Sequence, residues 1–294
     1  MRRGIVLGVL LALGALAAVK AQPPAPNAPK VIEVEKVKDN LYVLRGANSG
    51  GNTAVFITAN GVVVVDAKNP GWGKPILDKV KELTPKPITT LINTHTHGDH
   101  VSGNVEFPAT VDVVVQENTK TNMEKMDIFK QNNGKGMPKK TFKDTMTLGS
   151  GKDRVDLYYF GRGHTNGDAF IVFPELRVVH AGDIFSGKNL PLLDMNNGGS
   201  GVEIGDSLAK AHAGIKNVDG VITGHSTLMT WNDVGEYAQF NKDFLRDARA
   251  AAAAGKSADD FAAAWKPNEK YKGYTVQEAR LKTNAQAVYK EIGK

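Results

Sequence analysis

The chain has 294 residues, 37 Lys plus Arg against 31 Asp plus Glu, a net charge of +6, seven histidines and no cysteine. Without cysteine there are no disulfides and no thiolate ligands, so stability must come from a packed core and any metal must be held by nitrogen and oxygen. Arg2, Arg3 and Lys20 fall in a leader that reads as removable, which brings +6 down to +3, too small an excess to argue for a nucleic-acid partner.

That leader, "MRRGIVLGVLLALGALAAVKAQ", has two arginines, an apolar run from Ile5 to Val19 and small residues before Gln22. The run is short for a membrane span, and Val19-Lys20-Ala21 is an acceptable cleavage site. The expectation is a signal peptide over 1–21, cleavage near Ala21, a periplasmic or secreted product, and no membrane span after its removal. "QPPAPNAPK" at 22–30 reads as a Pro-rich linker, and 31–294 as one domain that ends in helices.

Within that domain, Val31 to Arg45 predicts two short strands turning at Asp39-Asn40, and "TAVFITANGVVVVDA" a hairpin around Asn60-Gly61. Pro75 to Leu83 has helical spacing of its apolar residues, and "ITTLIN" at 88–93 is a strand running into "THTHGDH". A strand at 111–115, one helix over 116–130 and a Lys- and Gly-rich loop to about 145 follow. Strands resume at "RVDLYYF", "DAFIVF" and "RVVHAGD"; then come a helix near 203–217, a strand "GVIT" and two or three Ala-rich helices from 233. The order repeats: a hairpin ends at Asp66, and a helix leads to a strand ending in Thr94-His95; a second hairpin ends at Asp183, and a helix leads to a strand ending in Gly224-His225. Two such halves predict an α/β fold, a four-layer αββα sandwich with its site at the strand ends along one edge.

The chemistry concentrates there. In an extended segment His95, His97 and Asp99 face one way, and His100 joins them only if the chain turns at Gly98. His164, Asp183 and His225 stand at later strand ends. Imidazole and carboxylate are ligands for zinc and similar cations. Seven such groups exceed the needs of one tetrahedral ion, so the expectation is two ions sharing them: His95, His97 and His164 on one, Asp99, His100 and His225 on the other, Asp183 between. His180 and His212 read as structural or exposed. Asp66 is the candidate to brace the histidine loop by hydrogen bonds.

With His164, Asp183 and His225 following in order, "THTHGDH" resembles the metallo-β-lactamase fold hydrolase superfamily, over about 31–230. The resemblance implies the αββα sandwich, two Zn(2+) ions (Fe or Mn being possible), and a metal-generated hydroxide attacking the carbonyl of a small-molecule ester, lactone, thioester or β-lactam amide, with Asp99 also orienting the nucleophile. Asp183 stands where one β-lactamase subclass has a cysteine, and His100 adds a ligand that subclass lacks. The set is similar to that of glyoxalase II and of lactonases. Lys188, Asn196 and Asn197, in the loop after Asp183, are candidate substrate contacts, and the lysines of 127–144 mark either a flap over an anionic substrate or a solvated loop. Two other readings stand beside the hydrolase: a single-iron sulfur dioxygenase on the same fold, and a metal-binding protein without catalysis.

Overall fold

A computed structural model describes residues 30–294; the expected leader and all of the Pro-rich linker but Lys30 lie outside the described residues. In chain order the strands are β1 (Glu33–Lys38), β2 (Leu41–Arg45), β3 (Thr53–Ile57), β4 (Val62–Val65), β5 (Ile88–Ile92), β6 (Asp112–Gln116), β7 (Lys140–Phe142), β8 (Thr145–Leu148), β9 (Val155–Tyr159), β10 (Ala169–Phe173), β11 (Val178–Gly182), β12 (Gly220–Thr223) and β13 (Met229–Thr230). The helices are α1 (Gly73–Leu83), α2 (Gly98–Val101), α3 (Glu117–Met123), α4 (Asp127–Gln131), α5 (Ile204–Gly214), α6 (Trp231–Ala253), α7 (Ala258–Ala264) and α8 (Glu278–Glu291).

The strands form two sheets, β1 to β7 in sequence order and β13-β12-β11-β10-β9-β8. In each, a hairpin feeds a helical crossover into a parallel neighbour: β3 and β4 are antiparallel and β5 is parallel to β4, while β10 and β11 are antiparallel and β12 is parallel to β11. The repeat read from the sequence is therefore a repeat of topology.

Alternation along the strands builds the layers. In β4, Val62 and Val64 pack with Ile76 and Val80 of α1, whereas Val63 and Val65 join Ile171, Phe173 and Ile222 between the sheets. On the far side Phe170, Val172 and Val179 pack against Leu208 of α5, Tyr237 and Phe240 of α6 and Val288 of α8. Where both faces of a sheet are covered, as at β4 and β10, the strand reads as an unbroken apolar run rather than an alternating one. The result is the four-layer αββα sandwich expected.

Three details depart from expectation. The single helix over 116–130 is two, α3 and α4, because Met126 is extended (φ −77°, ψ 130°) and starts a new helix. Strand β7 lies in what the lysine count marked as loop, and β8 starts where that loop ends. The remainder of 127–144 is anchored at two points, Phe129 being buried and Asn104 Nδ2 donating to the Gly136 carbonyl at 3.2 Å, while its lysines stay exposed.

Candidate metal centre

The site lies where the ends of β4, β5, β11 and β12 meet. Strand β5 delivers Asn93 to His97, and then the chain turns. His97 is extended (φ −68°, ψ 145°) and α2 starts at Gly98, so Asp99 and His100 arrive on a helical turn, not by strand alternation. That turn at Gly98 carries His100 into the cleft.

All seven expected side chains converge. Ligand-capable atoms of His95, His97, His164 and Asp183 lie within 4.8 Å of one another, and so do those of Asp99, His100 and His225. Asp183 touches both groups. Its Oδ1 is 3.3 Å from His100 Nε2, and its Oδ2 is 3.2 Å from His225 Nε2 and 3.8 Å from His164 Nε2. Asp99 Oδ2 lies 3.2 Å from His225 Nε2 and 3.7 Å from His100 Nε2.

Glycines make the crowding possible. A Cβ at Gly51 would fall within the His100 ring, and one at Gly224 would collide with Asp183 Oδ1. Gly182, at φ +55°, turns the chain so that Asp183 faces inward.

The outer nitrogens are held by partners. Asp66, fully buried, accepts from the Thr94 amide (2.9 Å), Thr94 Oγ1 (2.8 Å) and His100 Nδ1 (2.7 Å), which is the bracing position read from the sequence. His164 Nδ1 donates to the Leu192 carbonyl at 2.6 Å. His97 Nε2 is 2.7 Å from Asp194 Oδ2. Sequence reasoning missed Asp194; the signal was its place in the "LDMNNGG" loop, from which Asn196 and Asn197 were chosen instead. Those two cap around it: the Asn196 and Asn197 amides donate to Asp194 Oδ1, and Asn197 Nδ2 donates to Oδ2 at 2.6 Å. Lys188 is turned to α6, 2.7 Å from Asp233 and 3.3 Å from Glu236. His180 is buried with Nε2 donating to the Asn52 carbonyl, and His212 stacks on Trp231.

Burial opposes charge on every inner group, and the exceptions show where charge collects. Burial, with the charge of His100 and His164, holds His95 well below the usual imidazole range. Burial likewise brings His164 down to about 4. Burial also opposes charge on His100, but Asp183 and Asp66 outweigh it and hold the imidazole well above its usual range. Despite burial, bonds to Asp183 and Asp99 push His225 up to about 9. Asp183, whose ionisation burial disfavours, is held well below the carboxylate range by His100. Neutral His95 and His164 keep lone pairs available, while carboxylates draw positive charge to the other side of Asp183.

Those residues fit divalent ions. Among the described residues, the buried atoms His95 Nε2 and Asp183 Oδ1 have no hydrogen-bond partner, and both face the cluster's interior. A buried polar atom without a partner costs about 1–3 kcal/mol, and a cation would satisfy both. Nitrogen and oxygen donors with their outer atoms anchored are what zinc-like sites use.

Comparison with known proteins agrees with this geometry. Residues 47–225 match the family model described as "Metallo-beta-lactamase superfamily". The "Metallo-beta-lactamase type 2" of Elizabethkingia meningoseptica is 28% identical over 213 residues, covering 69% of this chain and 80% of the relative. Among solved structures, a metallo-beta-lactamase from Pontibacter korlensis superposes with a TM-score of 0.60 at 19% identity, covering 72% of this chain and 99% of that one. The stereoselective inverting sec-alkylsulfatase Pisa1 from Pseudomonas sp. gives 0.69 at 17%, over 89% of this chain and 50% of that one. With the whole histidine and aspartate cluster falling inside the matched stretch, the chain belongs to the metallo-beta-lactamase superfamily.

Proposed function

We propose that the protein is an exported, dinuclear zinc-dependent hydrolase of a small molecule with an ester, lactone, thioester or β-lactam carbonyl. The observation that carries this reading is the pair of ligand groups with Asp183 reaching into both. His95, His97 and His164 would hold one ion, Asp99, His100 and His225 the other, with Asp183 shared. Two ions so placed would supply a hydroxide nucleophile near neutral pH and a Lewis acid for the carbonyl oxygen.

The chain's own residues do the rest. Three imidazoles and a carboxylate set the geometry of the first group, with Leu192 and Asp194 fixing two of the rings. Asp99, on the α2 turn and partly open to solvent, would orient the nucleophile. Export rests on the leader sequence, and no helix among the described residues is long and apolar enough to cross a membrane.

The second ligand group also separates this reading from a single-iron dioxygenase, which needs one ion with open positions. Metal analysis should find about two zinc per chain rather than about one iron. A panel of a β-lactam, an acyl lactone and a thioester, with His95→Ala as control, then identifies the substrate class. Two bound zinc ions with no turnover of any member would defeat the hydrolase assignment.

A further inference from the structure

The loop between β11 and α5 holds the metal centre from outside. In it Leu192 and Asp194, two residues apart, each take the outer nitrogen of one histidine. Asp194 Oδ2 lies 2.7 Å from His97 Nε2. An ionised carboxylate only accepts hydrogen bonds, so His97 must carry a proton on Nε2, and in the neutral ring Nδ1 is then the nitrogen left to bind. That Nδ1 is 2.9 Å from His164 Nε2, inside the cluster. The Leu192 carbonyl does the converse for His164, leaving Nε2 as the inward lone pair. The Asp194 amide also donates to the His164 carbonyl at 2.9 Å, so one residue ties both histidine segments together.

Helix α8 and the segment before it hold this loop in turn. The Thr275 amide donates to the Lys188 carbonyl at 2.9 Å, and the Leu190 amide donates to the Thr275 carbonyl at 3.2 Å. Asn284, buried on α8, donates from Nδ2 to the Pro191 carbonyl at 2.9 Å. At the other end of α8, Glu291 accepts from the Val202 amide at 3.1 Å and from Arg162, whose guanidinium also donates to the Gly198 and Gly199 carbonyls. Thr275, Asn284 and Glu291 lie beyond the 47–225 stretch that matches the family model.

We propose that Asp194 is a positioning residue that locks His97 as the Nε2–H tautomer for the first metal, and that α8 acts on the same step by fixing the loop that carries Asp194. The proposal rests on reading the cluster as a metal centre, not on any substrate. Partners of this kind change metal affinity by about 10- to 100-fold when removed. Zinc titration against a chromophoric chelator, on the full chain, should show the first ion bound that much more weakly by Asp194→Ala. The second ion's step should change less than about threefold, because Asp66 braces His100 independently. Asp194→Asn, whose amide oxygen can still accept from Nε2–H, should fall between. Nitrogen-15 spectra of the metal-free protein should show His97 as Nε2–H in the wild type and the Asn variant, and as a tautomer mixture in the Ala variant. Asn284→Leu should weaken the first step only.

Asp194→Ala binding the first ion as tightly as the wild type, or keeping His97 as Nε2–H, overturns the Asp194 role. Unchanged first-ion affinity in Asn284→Leu overturns the role of α8. Equal loss at both steps in the Ala variant overturns positioning in favour of general loosening. A wild type that binds no zinc overturns both this proposal and the metal-centre reading. Absence of hydrolysis touches only the latter's catalytic part, since no substrate enters these measurements.

Discussion

Lys68 is fully buried beside the candidate metal cluster, its Nζ donating, among the described residues, only to the Gly51 carbonyl at 2.6 Å, and Gly51 in turn packs against the His100 ring. Burial pulls its pKa from the usual 10.5 down to about 7, Asp66 opposing the fall. Below about pH 7 folded and unfolded chains both hold the proton, and the cost of burying the charge is constant. Between about 7 and 10.5 the unfolded chain binds a proton the folded chain has released, so stability rises with pH across that window. The gain from pH 7 to 9.5 should be on the order of 2–3 kcal/mol. Urea unfolding of metal-free wild type and Lys68→Met at the two pH values isolates it; parallel changes in the two proteins would refute the buried-lysine account. Lys68 also shows what the sequence hides. A lysine in "VDAKNPGW" looks like surface, and only the left-handed backbone at Asp66 (φ 65°) and Lys68 (φ 66°) turns it inward. The histidines were legible because their residue types have few other uses at such density; Asp194 was not, because one Asp in a polar, Gly-rich loop is indistinguishable from a turn former.

At the scale of elements, the repeat decides what each strand end does, and the two copies have diverged. Asp66 and Asp183 end equivalent strands, yet Asp66 stands behind His100 while Asp183 faces the cluster. Neighbours explain the difference. In the first half Thr94 occupies the place that Gly224 takes in the second; its amide and hydroxyl draw Asp66 away, whereas Gly224 leaves room for Asp183. The halves are then stitched together by Asn52, which opens β3. Its Nδ2 donates to the Thr223 and Ser226 carbonyls at 2.9 and 2.8 Å, and its amide donates to the Gly224 carbonyl at 2.7 Å. Asn52→Ala leaves the buried Thr223 carbonyl and the partly buried Ser226 carbonyl short of a donor and should cost about 1–3 kcal/mol. The loss should fall at His225, which follows Gly224, so zinc at the Asp99, His100 and His225 group weakens first. Denaturation and zinc titration together check this; a stability loss with both ions bound as before would show Asn52 to be a fold residue only. Helix boundaries were less legible than strand order, as the break between α3 and α4 shows: the apolar spacing continues through Met126, and only its extended backbone, with Phe129 turned into the core, interrupts it.

For the whole molecule, the two halves meet at a surface that is polar exactly where a sandwich ought to be apolar, and this sets how stability depends on metal. Between the sheets the core is aliphatic and aromatic. At the strand ends it gives way to buried His95, His100, His164, Asp66 and Asp183. Without a cation the outer atoms of these groups keep their protein partners, but His95 Nε2 and Asp183 Oδ1 are left without one. A folded state that binds ions the unfolded chain does not bind is stabilised by about 2.7 kcal/mol at one hundred times the dissociation constant. At roughly 2–4 °C per kcal/mol for a chain of 150–250 residues, that predicts a melting point about 5–10 °C higher with zinc than after chelation. The rise should vanish in His95→Ala plus Asp183→Ala, which removes both orphaned atoms, and should reappear in wild type when zinc is returned. A melting point indifferent to zinc in the wild type would mean that the crowded junction is stable on its own hydrogen bonds, and that the ligand set carries no ion under those conditions.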